Sequence, residues 1–357
     1  MTIGYDAKRY FHNRSGLGNY SRDLLRILAQ QHPEHSYLLY DKRPNTTSPP
    51  LEAVPLEKKL FSRQWHLGRQ AQDCDIFHGL SGELPFRWGA KTPKKVVTIH
   101  DLIFEKLPKY YSFIDRKIYF AKFLAAAKQA DLVVAISEQT KKDILELLKI
   151  PERKIKVIYQ GCSPLFKENL APKFLKDTKR KYQLPDKFIL NVGTLEDRKN
   201  GMLLLQALEK EEIPLVFAGR NTPYTEKMKN YVHEKGMTHR IWFLEGLSNQ
   251  EIAALYSYAA VFAYPSEYEG FGIPIIEALN AGVPVVTNAR GVFPEAGGPG
   301  SLYVDIQQSG EMREALLHLW NHEADRQKRI AQGKTYVQRF DDELLATQWM
   351  ETYKALL

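Results

Sequence analysis

Two glutamates, Glu269 and Glu277, stand with seven residues between them in the stretch SEYEGFGIPIIEALNAGVPVV at 266–286. Gly-Phe-Gly follows the first of them, and then Ile273 and Pro274. Proline suits the first turn of a helix, where its missing N–H would have had no partner. The backbone amides of Gly270, Phe271, Gly272 and Ile273 are thereby placed at a helix N-terminus, which offers donors and partial positive charge to a phosphate. Glycine at 270 and 272 lets a ligand come close to the backbone. Glu277, within about the first turn, could accept from two adjacent hydroxyls such as those of a ribose. Glu269 would lie beyond the phosphate, beside whatever the phosphate carries. A nucleotide-diphosphate sugar fills this arrangement. Either glutamate alone reads equally well as a helix-start acid that complements the macrodipole, so the whole string carries the argument.

A second group of candidates is cationic. In NVGTLEDRKN, at 191–200, Arg198 and Lys199 follow a strand and precede a helix. Two cations on such a loop could neutralise a pyrophosphate and stabilise it as it departs; alternatively they are a solvated basic loop. His100 and Asp101 end the strand KVVTI and open a loop, where α/β folds place working side chains. An isolated histidine is more often structural, and Asp101 could orient it or cap the next turn. Gly16, Leu17 and Gly18 read as a turn before a helix but lack the third glycine of a dinucleotide fingerprint. Asp73-Cys-Asp75 matches an Asp-x-Asp metal pattern only formally, since it runs straight into a strand with no further ligand cluster. The ten histidines show no paired metal spacing. No metal is therefore expected. Ser81 and Ser266 have no visible triad partners, so hydrolase chemistry has no support.

The elements that must hold these residues alternate along the chain. Strands are expected near 2–6, 36–40, 75–78, 95–99, 131–136 and 155–159, and again near 187–192, 213–218, 241–243, 260–264 and 283–287. Helices are expected after the Gly16–Gly18 turn, over 112–129, from Ser137, and near 199–209, 223–235, 248–258 and 274–280. A final amphipathic helix at 341–356 should bury Trp349. The polar stretch 160–186 contains a boundary or hinge. This pattern is α/β, with two Rossmann-like halves and ligands at the carboxyl ends of the strands.

The chain has 357 residues, 44% of them hydrophobic and 26% charged, which suits two soluble cores. No apolar run approaches the roughly 18–20 residues of a membrane span. Two cysteines and no apolar leader point to the cytoplasm. The net charge of +8 is uneven: residues 1–165 hold 27 Lys/Arg against 17 Asp/Glu. That half should meet something anionic. Within it, 106–128 mixes six Lys/Arg with aromatic residues. Such a helix can lie on the inner face of an anionic membrane, or its apolar side is simply core. No nucleic-acid module accompanies the charge, so nucleic acid is not an expected partner.

With SGLGNYSRDLL, TIHDLIF, AISEQTKKDI, IYQGC, NVGTLEDRKN and FPEAGGPGSLYVD in order around the Glu269–Glu277 motif, the chain resembles family 4 of the retaining glycosyltransferases, over almost its whole length. The resemblance implies a GT-B fold with a deep interdomain cleft. Residues 1–165 would be the acceptor domain, with 341–357 packed back on it, and 166–340 the nucleotide-sugar domain. It assigns the donor to Arg198, Lys199, Glu269, Glu277 and the Gly270–Ile273 amides. His100 would contact a donor-sugar hydroxyl, and Gly16 and Gly18 would let backbone reach the donor phosphate or the acceptor. Many relatives carry an Arg where Thr194 stands, so Arg198 is expected to supply that charge. The implied reaction is hexose transfer with retention, without metal or cofactor, by front-face substitution. The pattern looks most like bacterial mannosyltransferases of polysaccharide biosynthesis, which makes GDP-mannose the first donor and a UDP-hexose the second. The acceptor would be a glycan or lipid-linked saccharide. A GT-B-type sugar-nucleotide epimerase and a non-catalytic nucleotide-sugar-binding subunit are the alternatives.

Overall fold

Strands buried on both faces read as short continuous apolar runs, and such runs pair in parallel when helices connect them. The computed structural model describes residues 1–13, 16–57 and 62–357. Two units emerge: Met1–Gly161 with Phe340–Leu357, and Cys162–Arg339. The chain passes from one to the other at Gly161, inside the polar stretch read as a boundary.

The first unit is built on seven strands: β1 (Thr2–Asp6), β2 (Ser36–Asp41), β3 (Leu51–Pro55), β4 (Ile76–Gly79), β5 (Lys94–Ile99), β6 (Leu132–Ala135) and β7 (Ile155–Val157). All pair in parallel, in the order β3-β2-β1-β4-β5-β6-β7. Strand β3 was not expected. It is a half-exposed edge that ends in Pro55, and proline in a strand is tolerated only where no ladder partner is needed. Phe77, Val97, Ile99 and Val133 fill one side of the sheet. The helix Asp342–Lys354 belongs to this unit. Its Trp349 is buried with its ring 4.9 Å from that of His78. The Tyr353 hydroxyl lies 2.7 Å from His78 Nδ1, and Thr98 Oγ1 lies 2.7 Å from Nε2. Burial, helped by His100, pushes His78 down to about 3, so the ring is neutral and takes one donor and one acceptor partner.

The second unit holds β8 (Phe188–Val192), β9 (Leu215–Ala218), β10 (Ile241–Leu244), β11 (Ala259–Tyr264), β12 (Val285–Asn288) and β13 (Leu302–Val304). They too are parallel, in the order β10-β9-β8-β11-β12-β13. This is the doubly wound order in which the winding direction reverses between the first strand and the fourth, here β8 and β11. Loops leaving those two strands diverge and open a crevice, which is where such sheets bind ligands. Strand β13 escaped the sequence reading because it is three residues long and follows a glycine-rich loop. No helix among the described residues is long and apolar enough to cross a membrane.

Candidate active site

The reversal in the second sheet brings two candidate motifs together. After β8 the chain makes a tight turn, Asp197–Lys199, before the helix Gly201–Ala207. After β11 it continues through Ser266 to Glu269. Asn191 Nδ2 donates to the Ala263 carbonyl at 2.8 Å, tying the two strands, and Glu267 N donates to the Arg198 carbonyl at 2.9 Å, tying the two loops. Glu269 Oε1 is the centre of the cluster. It accepts from Ser266 Oγ at 2.7 Å, Arg198 Nη1 at 2.9 Å and Tyr264 OH at 3.1 Å, and from Lys199 Nζ. Lys199 Nζ also donates to Tyr264 OH at 2.6 Å.

Burial alone would raise the Glu269 carboxyl, but Lys199 and then Arg198 outweigh it and hold the group down to about 2. Glu269 is therefore ionised throughout the physiological range. Lys199 feels the opposite balance: burial pulls its ammonium below the usual lysine range, against the pull of Glu269. Arg198 is already committed, because its guanidinium also donates to Glu196 at 2.7 Å and to the Tyr268 carbonyl. Arg198, expected to supply the charge missing at Thr194, divides its fork between the Glu196 and Glu269 carboxylates. Lys199 has three ammonium hydrogens, and among the described residues Glu269 and Tyr264 take two of them.

Four residues after Glu269 begins the helix Ile273–Asn280. Gly272 caps it at φ +112°, a conformation that a side chain would strain. Pro274 brings no amide hydrogen to the first turn, and Ile275 N donates back to the Gly272 carbonyl at 2.9 Å. Phe271 is buried, so its ring is not offered to a ligand. Glu277 is the fifth residue of the helix and so sits on the second turn, not the first. It is part-buried and accepts from the Tyr256 hydroxyl at 3.2 Å. Burial pushes its carboxyl up to about 7, and the Tyr256 hydrogen bond only partly offsets this.

In the first unit, β5 delivers His100 next to the end of β4. Its Nε2 lies 2.8 Å from the Leu80 carbonyl, which can only accept, so the proton is on Nε2. Burial pushes this ring down to about 4, so it is neutral and its Nδ1 carries a lone pair. The Tyr20 ring meets it edge-on at 4.5 Å. Asp101 Oδ1 accepts from Ile103 N at 3.1 Å, which caps the following turn; the bond that orients His100 comes from Leu80. Gly16 and Gly18 do not form a turn ahead of the helix, as expected. They are its first residues, in Gly16–Gln31, while Ser15 of the same motif lies outside the described residues. A Cβ on Gly18 would fall 1.9 Å from the Asn13 carbonyl oxygen, so this glycine answers to a close backbone approach. A Cβ on Gly16 would meet nothing within 4 Å. Asp75 of the Asp-x-Asp string accepts from Thr2 N at 2.8 Å and joins two strand starts.

In the second unit Tyr264 and Tyr256 were not singled out from sequence, nor, in the first, was the Leu80 carbonyl beside His100. Tyr264 carried one legible signal, a polar tip ending an otherwise apolar strand that leads into the Glu269 loop. Ser266 was considered only as a nucleophile, and here it is a hydrogen-bond donor to Glu269.

Residues 14–164 match the family model for Glycosyltransferase Family 4, and residues 175–336 match that for glycosyl transferases group 1. The chain is 29% identical to O-antigen chain mannosyltransferase B of Escherichia coli, over 79% of this chain and 74% of that protein. It is 28% identical to O-antigen chain mannosyltransferase RfbU of Salmonella typhimurium strain LT2, over 69% of this chain and 65% of that one. Among solved structures it is similar to Anabaena Alr3699/HepE in complex with UDP and glucose, with a TM-score of 0.76, 17% identity and 99% of each chain covered.

Proposed function

We propose, for a chain that belongs to family 4 of the GT-B glycosyltransferases, that it moves a hexose from a nucleotide-diphosphate sugar to a hydroxyl of a glycan or lipid-linked saccharide, with retention at the anomeric carbon. The donor is mannose on GDP, and a UDP-hexose is the second candidate. The mannosyltransferase relatives support the first, and UDP in the structural neighbour keeps the second in view. The observation that carries the reading is the meeting of Lys199, Arg198 and Glu269 at the sheet's reversal, four residues ahead of a glycine-capped helix.

In this scheme the diphosphate lies against the amides of Gly270–Ile273 and draws the ammonium of Lys199. As the glycosidic C–O bond breaks, negative charge grows on the departing phosphate, and a preplaced cation stabilises that charge most. Arg198 acts mainly by holding Glu269 in place. Glu269 fixes Lys199 and faces the sugar. Glu277 accepts from the ribose diol. The departing phosphate oxygen takes the proton of the incoming hydroxyl, so the substitution needs no protein nucleophile and no metal. Neutral His100 accepts from a sugar hydroxyl at Nδ1, a role the Leu80 bond fixes by choosing the tautomer. Gly16, with open space at its Cβ position, lets a ligand come against the backbone.

The test is a thermal-shift screen of nucleotide sugars followed by transfer to saccharide acceptors. A donor at 100 times its Kd should stabilise the second unit by about 2.7 kcal/mol. No shift with any nucleotide sugar would overturn the proposal. Conversion of the donor to an epimer in the absence of acceptor would replace it with isomerase chemistry.

A further inference from the structure

Where His100 Nδ1 points depends on rotation about the bond to its ring, and an imidazole has only a broad, two-fold preference there. Two contacts fix it. The Leu80 carbonyl accepts from Nε2 at 2.8 Å, and the Tyr20 ring stands edge-on to the imidazole at 4.5 Å and 89°. Both contacts lead back to His78. Leu80 follows His78 by two residues as the chain leaves β4, and Gly82 N donates to the Thr98 carbonyl at 2.8 Å, which holds that loop against β5. The Tyr20 hydroxyl lies 3.3 Å from Thr98 Oγ1, which in turn lies 2.7 Å from His78 Nε2. On the far side of the ring, His78 Nδ1 lies 2.7 Å from the Tyr353 hydroxyl, and that hydroxyl lies 3.3 Å from the one on Tyr5. Five buried side chains thus form one polar chain that starts at β1 and the helix Asp342–Lys354 and ends against His100.

Such a chain adds little to the stability of a core, because exchanging paired buried polar groups for apolar ones of the same shape is nearly neutral. What it supplies is direction, since a fully satisfied buried network holds a single arrangement. Neutral His78 donates from one nitrogen and accepts at the other, so it couples the two pairs of hydroxyls. The Trp349 ring, 4.9 Å away, packs beside it. We propose that Tyr353 is a positioning residue for His100: its hydroxyl, acting through His78, Thr98 and Tyr20, keeps the His100 ring in the plane from which Nδ1 accepts, a role that rests on the sugar contact proposed for His100. The helix Asp342–Lys354 then serves the transfer reaction without touching the ligand.

The test is long-range proton–nitrogen NMR on the full chain labelled with 15N-histidine, run beside steady-state transfer kinetics. His100, assigned by the signals lost in His100→Gln, should show a single tautomer with its proton on Nε2. Tyr353→Phe and Thr98→Val each keep the side-chain shape and remove one hydroxyl from the chain. Each should move the His100 ring nitrogens toward the averaged signals of two exchanging tautomers. Each should lower kcat by about three- to tenfold, the worth of one hydrogen bond. KM for the nucleotide sugar should stay within about twofold of wild type. Because both substitutions cut the same chain, the double variant should be little slower than either single one, whereas unconnected sites would multiply their losses. Unchanged His100 signals in either variant that folds, or multiplied losses in the double variant, would overturn the relay from Tyr353. A His100→Ala chain that turns over at the wild-type rate would overturn the sugar contact itself, whatever the ring signals of the other variants.

Discussion

Replacing Lys199 with methionine separates the chemical role of this residue from its structural one. The substitution keeps the length and apolar stem of the side chain and removes the ammonium that bridges Glu269 and Tyr264. Orphaning a buried charge ordinarily costs about 3–5 kcal/mol. Here Glu269 keeps Arg198, Ser266 and Tyr264 as donors, and burial already worked against the lysine's charge. The loss should therefore be nearer 1–2 kcal/mol by that same scale, which lowers Tm by about 2–8 °C for a unit of this size. Catalysis should suffer more. A single preplaced group that meets charge developing in the transition state is worth about 2.7–4 kcal/mol, or roughly a hundred- to a thousandfold in kcat. Because that charge grows as the bond breaks, kcat should fall further than KM rises. The assay is release of nucleoside diphosphate from the nucleotide sugar, with and without acceptor, alongside a thermal melt; Lys199→Arg should recover part of the rate. A variant that melts normally and turns over within about threefold of wild type would refute the reasoning.

Glu269→Gln should act in the opposite sense on binding. Removing the negative charge between two cations frees Lys199 for a diphosphate, so free GDP or UDP should bind about tenfold more tightly while turnover falls at least about a hundredfold; calorimetry showing weaker binding would mean that carboxylate and phosphate do not compete for the lysine. Glu277, pushed up to about 7, must ionise for both of its oxygens to accept from a diol. Affinity for an intact nucleotide sugar, whose phosphates do not titrate in this range, should thus weaken below pH 7 by up to about tenfold per pH unit, and Glu277→Gln should flatten the profile; a Kd constant from pH 5.5 to 8.5 in the wild type would remove the ribose contact. Gly18→Ala forces a Cβ against the Asn13 carbonyl and should cost about 1–3 kcal/mol in a melt. Gly16→Ala has open space and should leave Tm alone while lowering turnover, and an unchanged rate would take Gly16 out of the ligand's path.

Much of the architecture was legible because parallel sheets bury both faces of their strands. Runs such as FILNV and AVFAY announce themselves by composition alone, and the loops at their carboxyl ends then mark where chemistry should be sought. What escaped lacked that signature. Strand β3 is an edge with one wet face and a terminal proline, and β13 is too short to show a period. The helix start at Gly16 was misplaced because two glycines usually mark a turn, whereas Gly18 exists to let a helix pass close under the Asn13 carbonyl.

The site shows a deeper limit. Arg198 and Lys199 are adjacent in sequence and carry the same charge, so spacing alone sets both against a pyrophosphate, and only the family resemblance favours Lys199. Their surroundings make them unequal. Arg198 is held by Glu196, Glu269 and a carbonyl, while among the described residues Lys199 reaches one carboxylate and one phenol and has a third hydrogen left over. Spacing tells which cations a loop can present; it does not tell which of them the protein has already neutralised, because that depends on Glu269, which arrives from a strand seventy residues away. The same long-range pairing explains the contrast between the two glutamates. Glu269, beside two cations, stays ionised at about 2, whereas Glu277, beside one phenol, rises to about 7. Two carboxylates in one motif are thus tuned in opposite directions by what the fold sets against them. It is this difference, and not the motif's spacing, that lets Glu269 anchor a cation at every working pH and suits Glu277 to the proposed ribose contact.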